Sequence, residues 1–458
     1  MTDSNNFAKD IVEAPAKALE KTIETIIKDE KKIASKKPFR KTREYFDVLG
    51  PGLITGAADD DPSGIATYSQ TGAQYGFQFI WLSLFTYPFM AIVQEMCARI
   101  GIVTGQGLAA NIRHNYPKKI LYFVTSLLFL ANTLNIAADL GVMAASVKLL
   151  VPGINFIFCV SAIAFIILLL QIFTTYAQYS KILKYLTLAL LSYVFTAFAV
   201  HLNWGEVLSR TFMPHISGLN RDQVFLLCAI LGTTISPYLF FWQTSQEVEE
   251  QILIGETTVK SRRQNVTKTE LKNMRKDTWS GMFFSNLIMF FIIAACAGTL
   301  FSNGITNIIT ADQAAEAIRP FGGDLTFFFF AIGIIGTGFL AIPTMAGSSA
   351  YAISESFGWK QGLYLKLKKA YAFYGIIIIS MIIATIANYA HLDPIKGLIY
   401  SAVANGCVAP VVLFFIVKLS SDRKIMGEHK NHRFITASGW FTTIMMTLIG
   451  IAVLATIL

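Results

Sequence analysis

Asp59, Asp60 and Asp61 stand in a row, followed by Pro62, Ser63 and Gly64, inside an apolar stretch otherwise long enough to cross a membrane. An ionisable side chain at bilayer depth costs at least about 2.5 kcal/mol even on a lenient insertion scale, so such residues normally face a functional cavity. Pro62 lacks a backbone donor, and Gly56 and Gly64 tolerate non-helical dihedrals. The helix is therefore predicted to break beside the acids and to leave carbonyls and helix ends free there. Irregular backbone survives at that depth only where it is buried in protein or lines a polar cavity. Anionic, oxygen-rich and broken, the stretch has the anatomy of a cation site.

A second interruption, Gly232-Thr-Thr-Ile-Ser-Pro-Tyr238, falls midway through the sixth apolar segment. Either break alone would read as a proline kink. Two in corresponding places, with Pro62, Gly64 and Pro237 as the breaking residues, point to an inverted repeat around a central site.

Composition sets what must position these residues. The 458 residues are 54% hydrophobic and 15% charged, with a mean hydropathy of +0.52. A soluble chain would carry about 25% charged residues, so this is an integral membrane protein. The net charge of +9 does not imply nucleic acid, because the basic residues cluster between apolar segments, as in cytoplasmic loops. Cys97, Cys159, Cys228, Cys296 and Cys407 lie in or beside apolar runs without a CxxC pair, which argues against disulfides and zinc. No nucleophile–base pair or phosphate loop appears, so neither an enzyme nor a cofactor is expected.

Residues 1–45 form a polar, Lys-rich tail without the apolar core of a cleavable signal; an amphipathic surface helix and a disordered tail both fit it. From 46 to 458, eleven helices are predicted near 46–70, 77–100, 118–149, 154–175, 181–203, 223–247, 279–302, 323–347, 370–390, 396–418 and 433–457. Lys and Arg follow every even-numbered helix, and the intervening loops are poor in them. The expectation is a multi-pass plasma-membrane protein with a cytoplasmic N-terminus and an extracytoplasmic C-terminus. Patterning does not determine an oligomeric state.

From Gly50 onward the chain resembles the NRAMP family of divalent-metal transporters. The likeness is densest in Gly50-Pro-Gly-Leu-Ile-Thr55, Asp61-Pro62, Ser69-Gln-Thr-Gly-Ala-Gln-Tyr-Gly-Phe77, Ile100-Gly-Ile-Val-Thr-Gly105 and Arg113-His-Asn-Tyr-Pro117. The resemblance implies an all-α, LeuT-like fold: two inverted five-helix repeats plus an eleventh helix, with helices 1 and 6 broken. It also implies alternating access. The family's Asp-Pro-Gly-Asn reads Asp61-Pro62-Ser63-Gly64 here, and its Met-Pro-His reads Ser236-Pro237-Tyr238. A tenth-helix Gln aligns with Ala402, a second His of helix six with Gln243, and the third-helix Asp and Glu with Asp139 and Val142.

Loss of the family Met leaves an oxygen shell: Asp61, Ser236, the carbonyls near Ala58 and Thr233, and Asp60 or Asp59. Hard oxygens suit Mg²⁺, Mn²⁺ or Ca²⁺, a logic resembling the magnesium-transporting branch of the family, while Mn²⁺ and Fe²⁺ remain the family's usual cargo. Asp139 and Tyr238 occupy the relay positions, but Tyr238 and Val142 do not titrate near neutral pH, so weak or absent proton coupling is expected. Asp139 could instead pair with Asn132 or Asn135. The alternative substrate is an organic cation or zwitterion in a cavity widened by Ser63, Gly64, Ser236 and Ala402. Gln94, Glu95, Glu247, Glu249 and Glu250 read as solvated helix ends, and Glu355 as structural.

Overall fold

The computed structural model describes residues 49–458 except 201, 215–219, 309, 391–393 and 458, and the backbone alone over 394–404, 407 and 453–457. The N-terminal tail 1–45 and the side chain of Ala402 lie outside the described residues. Helices account for nearly all the regular structure, and all eleven expected segments are present. Among the described residues, eight helices are long and apolar enough to cross a membrane, nine if one bent pair is counted as a span. Their outward residues, such as Phe158, Phe165, Phe195 and Leu448, are large, apolar and exposed, as lipid-facing positions should be.

Both expected breaks occur, and local chemistry explains each. The first segment runs Pro51–Asp59, leaves helical geometry at Asp60, and resumes as Pro62–Tyr75. Asp61 is the N-cap of the second half and Pro62 its first residue, where a missing N–H costs nothing. The sixth segment repeats this as Arg221–Thr234 and Pro237–Leu253, with Ser236 before the proline.

Some boundaries differ from expectation, for identifiable reasons. The seventh helix starts at Lys268, because Thr267 and Glu270 form a capping box that carries it into the polar loop. The eighth runs Ala311–Phe357, bent at Gly323, whose φ of 77° only glycine adopts easily. The second begins at Leu82, after a short turn over Gly76–Phe79.

Candidate functional site

The lower half of the first segment is held at both ends. Gly52 and Gly56, spaced as GxxxG, press against Gly281 and Thr278 of the seventh helix so closely that a methyl group on either would collide with backbone. Asp277, 2% exposed, accepts the amides of Gly50 (2.8 Å), Gly52 (2.7 Å) and Leu53 (3.0 Å). One carboxylate thus satisfies three N–H groups that a helix start leaves without partners.

At the break, Asp61 is 3% exposed and held by three donors. Its Oδ1 accepts the Ser63 hydroxyl (2.7 Å) and the Gly64 amide (2.6 Å), and its Oδ2 accepts Asn135 Nδ2 (2.8 Å). Asn135 also touches the thioether of Met345, in the eighth helix, at 3.1 Å. Sequence reasoning missed both roles. Asn132, Asn135 and Asp139 form a polar stripe at i, i+3, i+7 in an apolar helix, and that spacing could have singled out Asn135. Met345 sits among apolar residues and gave no signal.

Two expected ligands are altered by their neighbours. The Ala58 carbonyl is not free: Tyr238, on the other broken helix, donates its hydroxyl to it at 2.9 Å. The Thr233 carbonyl accepts the Ser236 hydroxyl at 2.7 Å, in reach of which the Gly232 carbonyl also lies at 2.9 Å. Ser236 spends its proton on its own helix end and keeps lone pairs for a cation. Asp139 pairs with neither Asn132 nor Asn135. Asn132 donates instead to Ser349 and the Met345 carbonyl, and Asp139 lies near Asp61 and the Ser63 amide.

The three consecutive acids have different hydrogen-bond partners. Asp59 turns to the seventh helix, where Ser285 donates to its Oδ2 at 3.0 Å, and its other oxygen has no partner. Asp60 is fully buried with both oxygens unpartnered. Among the described residues, no three His, Cys, Asp or Glu side chains gather as a metal cage. No salt bridge among them reaches Asp59, Asp60, Asp61 or Asp139.

The two sides of the break contrast. Away from the basic loops lies a cavity of about 510 Å³ lined by Gln70, Gln74, Tyr75, Asp222, Thr306 and Asn307, with one carboxylate and no base. Thr67, Gln70 and Gln74 continue the helix face that begins at Ser63. Towards the basic loops polar side chains are packed into buried networks, beside a cavity of about 190 Å³ lined in part by Arg113, Glu249, Arg262 and Glu355. Glu95, expected to be solvated, is 1% exposed, salt-bridged to Arg99 and Arg275 and bonded to Trp279 Nε1 at 2.7 Å. Gln94, Glu247 and Glu249 are buried too. Glu249 accepts Tyr351 and the Leu363 amide, and Glu250 accepts the Tyr176 hydroxyl. The solvated reading fails for Gln94, Glu95, Glu247 and Glu249, which neighbouring helices and the 360–364 loop cover, while Glu250 stays partly exposed. Glu355 is structural as expected, accepting the Ala110 amide at 3.0 Å.

Known proteins match this architecture. A divalent metal cation transporter, MntH, of Klebsiella pneumoniae is 26% identical over 90% of this chain and 94% of its own length. MntH of Caldanaerobacter subterraneus is 25% identical over 84% of this chain and 87% of its own. A manganese transporter of Eremococcus coleocola has the same fold, with a TM-score of 0.68 at 18% identity, covering 91% of this chain and 87% of that one. Mhp1, a nucleobase-cation-symport-1 family transporter, follows at 0.57 and 12% identity, over 89% and 91%. The fold is therefore all-helical and LeuT-like, as the family resemblance implied. Residues 52–456 match the family described as Natural resistance-associated macrophage protein-like, and the chain belongs to it.

Proposed function

We propose that the chain carries divalent metal ions across a membrane by alternating access, with Asp61 as the anionic anchor. The observation that carries this reading is a buried carboxylate with no basic partner, set between two broken helices below a cavity that bears an acid and no base. A carboxylate offers about four acceptor positions, and the three donors to Asp61 leave one on Oδ2. The C-terminal ends of Pro51–Asp59 and Arg221–Thr234 direct partial negative charge inward, which favours a cation. The relatives' names, divalent metal cation and manganese transporters, agree with that charge.

The ligand set is Asp61 and Ser236 with retained waters, an oxygen shell suited to Mg²⁺ or Mn²⁺. Met345 stands one residue behind it, against Asn135, and would favour Mn²⁺ or Fe²⁺ over Mg²⁺ only if Asn135 moved aside. Tyr238, tied to the Ala58 carbonyl, and Val142 offer no titrating group, so transport is uncoupled from protons and follows the membrane potential. An inside-negative potential contributes about 2.3 kcal/mol per charge per 100 mV. In this reading the protein lies in the plasma membrane, with the basic loops and N-terminus cytoplasmic and the open cavity facing out.

The test is calorimetric titration of purified wild type and Asp61→Ala with Mg²⁺, Mn²⁺ and Ca²⁺, then uptake into liposomes. Saturable binding and flux that vanish in the mutant are expected, with uptake that leaves internal pH unchanged. A well-folded wild type that neither binds nor moves a divalent ion would overturn the reading and redirect the search to organic cations.

A further inference from the structure

We propose that the cavity on the basic-loop side, framed by Arg113 and Arg262, binds a phosphate group. At about 190 Å³ it admits such a group or several waters. Its walls come from the ends of the second, sixth and eighth helices, the short helices Leu108–Asn115 and Val259–Gln264, and the loop 359–364. Two of its corners are glycines with left-handed backbone, Gly105 (φ 62°) and Gly358 (φ 73°). The arginines occupy the space where side chains there would go. A Cβ at Gly105 would come within 2.8 Å of the Arg262 Cβ, and one at Gly358 would collide with Arg113 Nη1.

Glu249 and Glu355 line the cavity as well, so formal charge balances and hydrogen bonding decides which sign is left to bind. Both carboxylates are engaged by neutral donors. Glu249 accepts the Tyr351 hydroxyl and the amides of Leu363 (2.7 Å) and Tyr364 (3.1 Å). Glu355 accepts the Ala110 amide (3.0 Å), Gln361 (3.0 Å) and Ser245 (3.3 Å). Each spends three of about four acceptor positions in this way.

The arginines are not matched so fully. Arg262 is only 7% exposed. Its Nε donates to the Gly105 carbonyl (2.9 Å) and its Nη1 to the Glu256 carbonyl (3.0 Å), which fixes the guanidinium and leaves three of its five N–H groups. Among the described residues, no salt bridge involves Arg113 or Arg262. Planar forks of N–H donors match oxyanions bidentately, and a phosphate group has oxygens enough to engage two of them. Trp359 and Tyr364, 44% and 48% exposed, stand at the same walls, as aromatic residues do at headgroup level. A lipid headgroup and a soluble phosphate share this chemistry. Either one, bound there, ties the loop 359–364 and Val259–Gln264 to the ends of the second and eighth helices.

The experiment is thermal unfolding of the purified, delipidated full-length protein in neutral detergent with divalent ions chelated. One arm compares sodium phosphate with sodium chloride at equal pH and ionic strength; the other adds a short-chain phosphatidylglycerol to the detergent. Wild type should melt roughly 2–3 °C higher, with a saturable concentration dependence, in at least one arm. A response to phosphate alone assigns a soluble ligand, and a response to the lipid alone assigns a headgroup. Arg262→Gln should abolish the response, and Arg113→Gln should move its midpoint to several-fold higher concentration. Arg263→Gln, exposed in the same short helix and outside the cavity, should leave it unchanged. No response of wild type in either arm would overturn the proposal. So would a response that persists unaltered in Arg113→Gln and Arg262→Gln, or one that Arg263→Gln weakens as much as they do. If Arg262→Gln fails to fold, Arg113→Gln decides alone. Asp61→Ala should keep the phosphate response, so this site and the divalent site are read separately.

Discussion

The two halves of the first broken segment differ in composition and in surroundings: the first is mainly apolar, the second carries Ser, Thr, Gln and Tyr. Pro51–Asp59 is buried along its length, its glycines against backbone and its first amides on Asp277. Pro62–Tyr75 presents one face, through Gln70 and Gln74, to an open cavity. Below the break, charge is buried in paired networks around Glu95 and Glu249; above it, polar side chains line an open cavity. The difference teaches that the basic-loop side is held by buried polar networks on several helices: Asp277 on the start of the first half-helix, Glu95 with Arg99, Arg275 and Trp279, and Glu249 with Tyr351 and Leu363. Backbone docking and capping, rather than apolar bulk, hold that side together.

Five substitutions and one control break or sharpen this contrast. Gly56→Leu drives a side chain into the Gly281 backbone, and overpacking of this kind costs typically about 1–3 kcal/mol, more where backbone is the obstacle. Its expected outcome is a large fall in melting temperature or no folded protein, whereas Gly375→Leu, with open space at its Cβ, should fold. Asp277→Ala leaves three amides without an acceptor, at about 1–3 kcal/mol for each that stays buried. Hydrogen exchange should rise over residues 50–56 and remain unchanged over 62–75; equal change in both halves would contradict the latch.

Asn135→Ala removes the donor that orients Asp61 and should weaken divalent binding about 10–100-fold in calorimetry, as loss of an outer-shell partner does. Met345→Leu in the same assay separates the thioether's contribution to metal preference from the amide's. The smallest effect is expected for Asp222→Asn, at the mouth of the cavity. It should raise the KM of divalent uptake about two- to five-fold at low salt and lose that effect at high salt, because an exposed charge is screened.

Much of the architecture was legible in the residues. Pro62 and Pro237 each open a new half-helix, Asp61 caps one of them, and hydropathy located all eleven segments. Local chemistry decides such features: a proline without an N–H, a side chain able to cap, a run of apolar residues. The missed features involve partners far along the chain. Asp277 meets Gly50 across 227 positions and Met345 meets Asn135 across 210. Glu95 and Glu249 look like solvated helix ends until other segments bury them.

The sequence by itself determined that the chain is a membrane bundle, where its helices break, and that a cation is the natural ligand, because bilayer energetics and proline geometry act on the residues in place. Only the tertiary structure decided which acid faces which neighbour. The backbone leaves helical geometry between Asp59 and Asp61, so Asp59 meets Ser285 of the seventh helix while Asp61 meets Asn135 of the third, and packing against those helices selects the dihedrals between them.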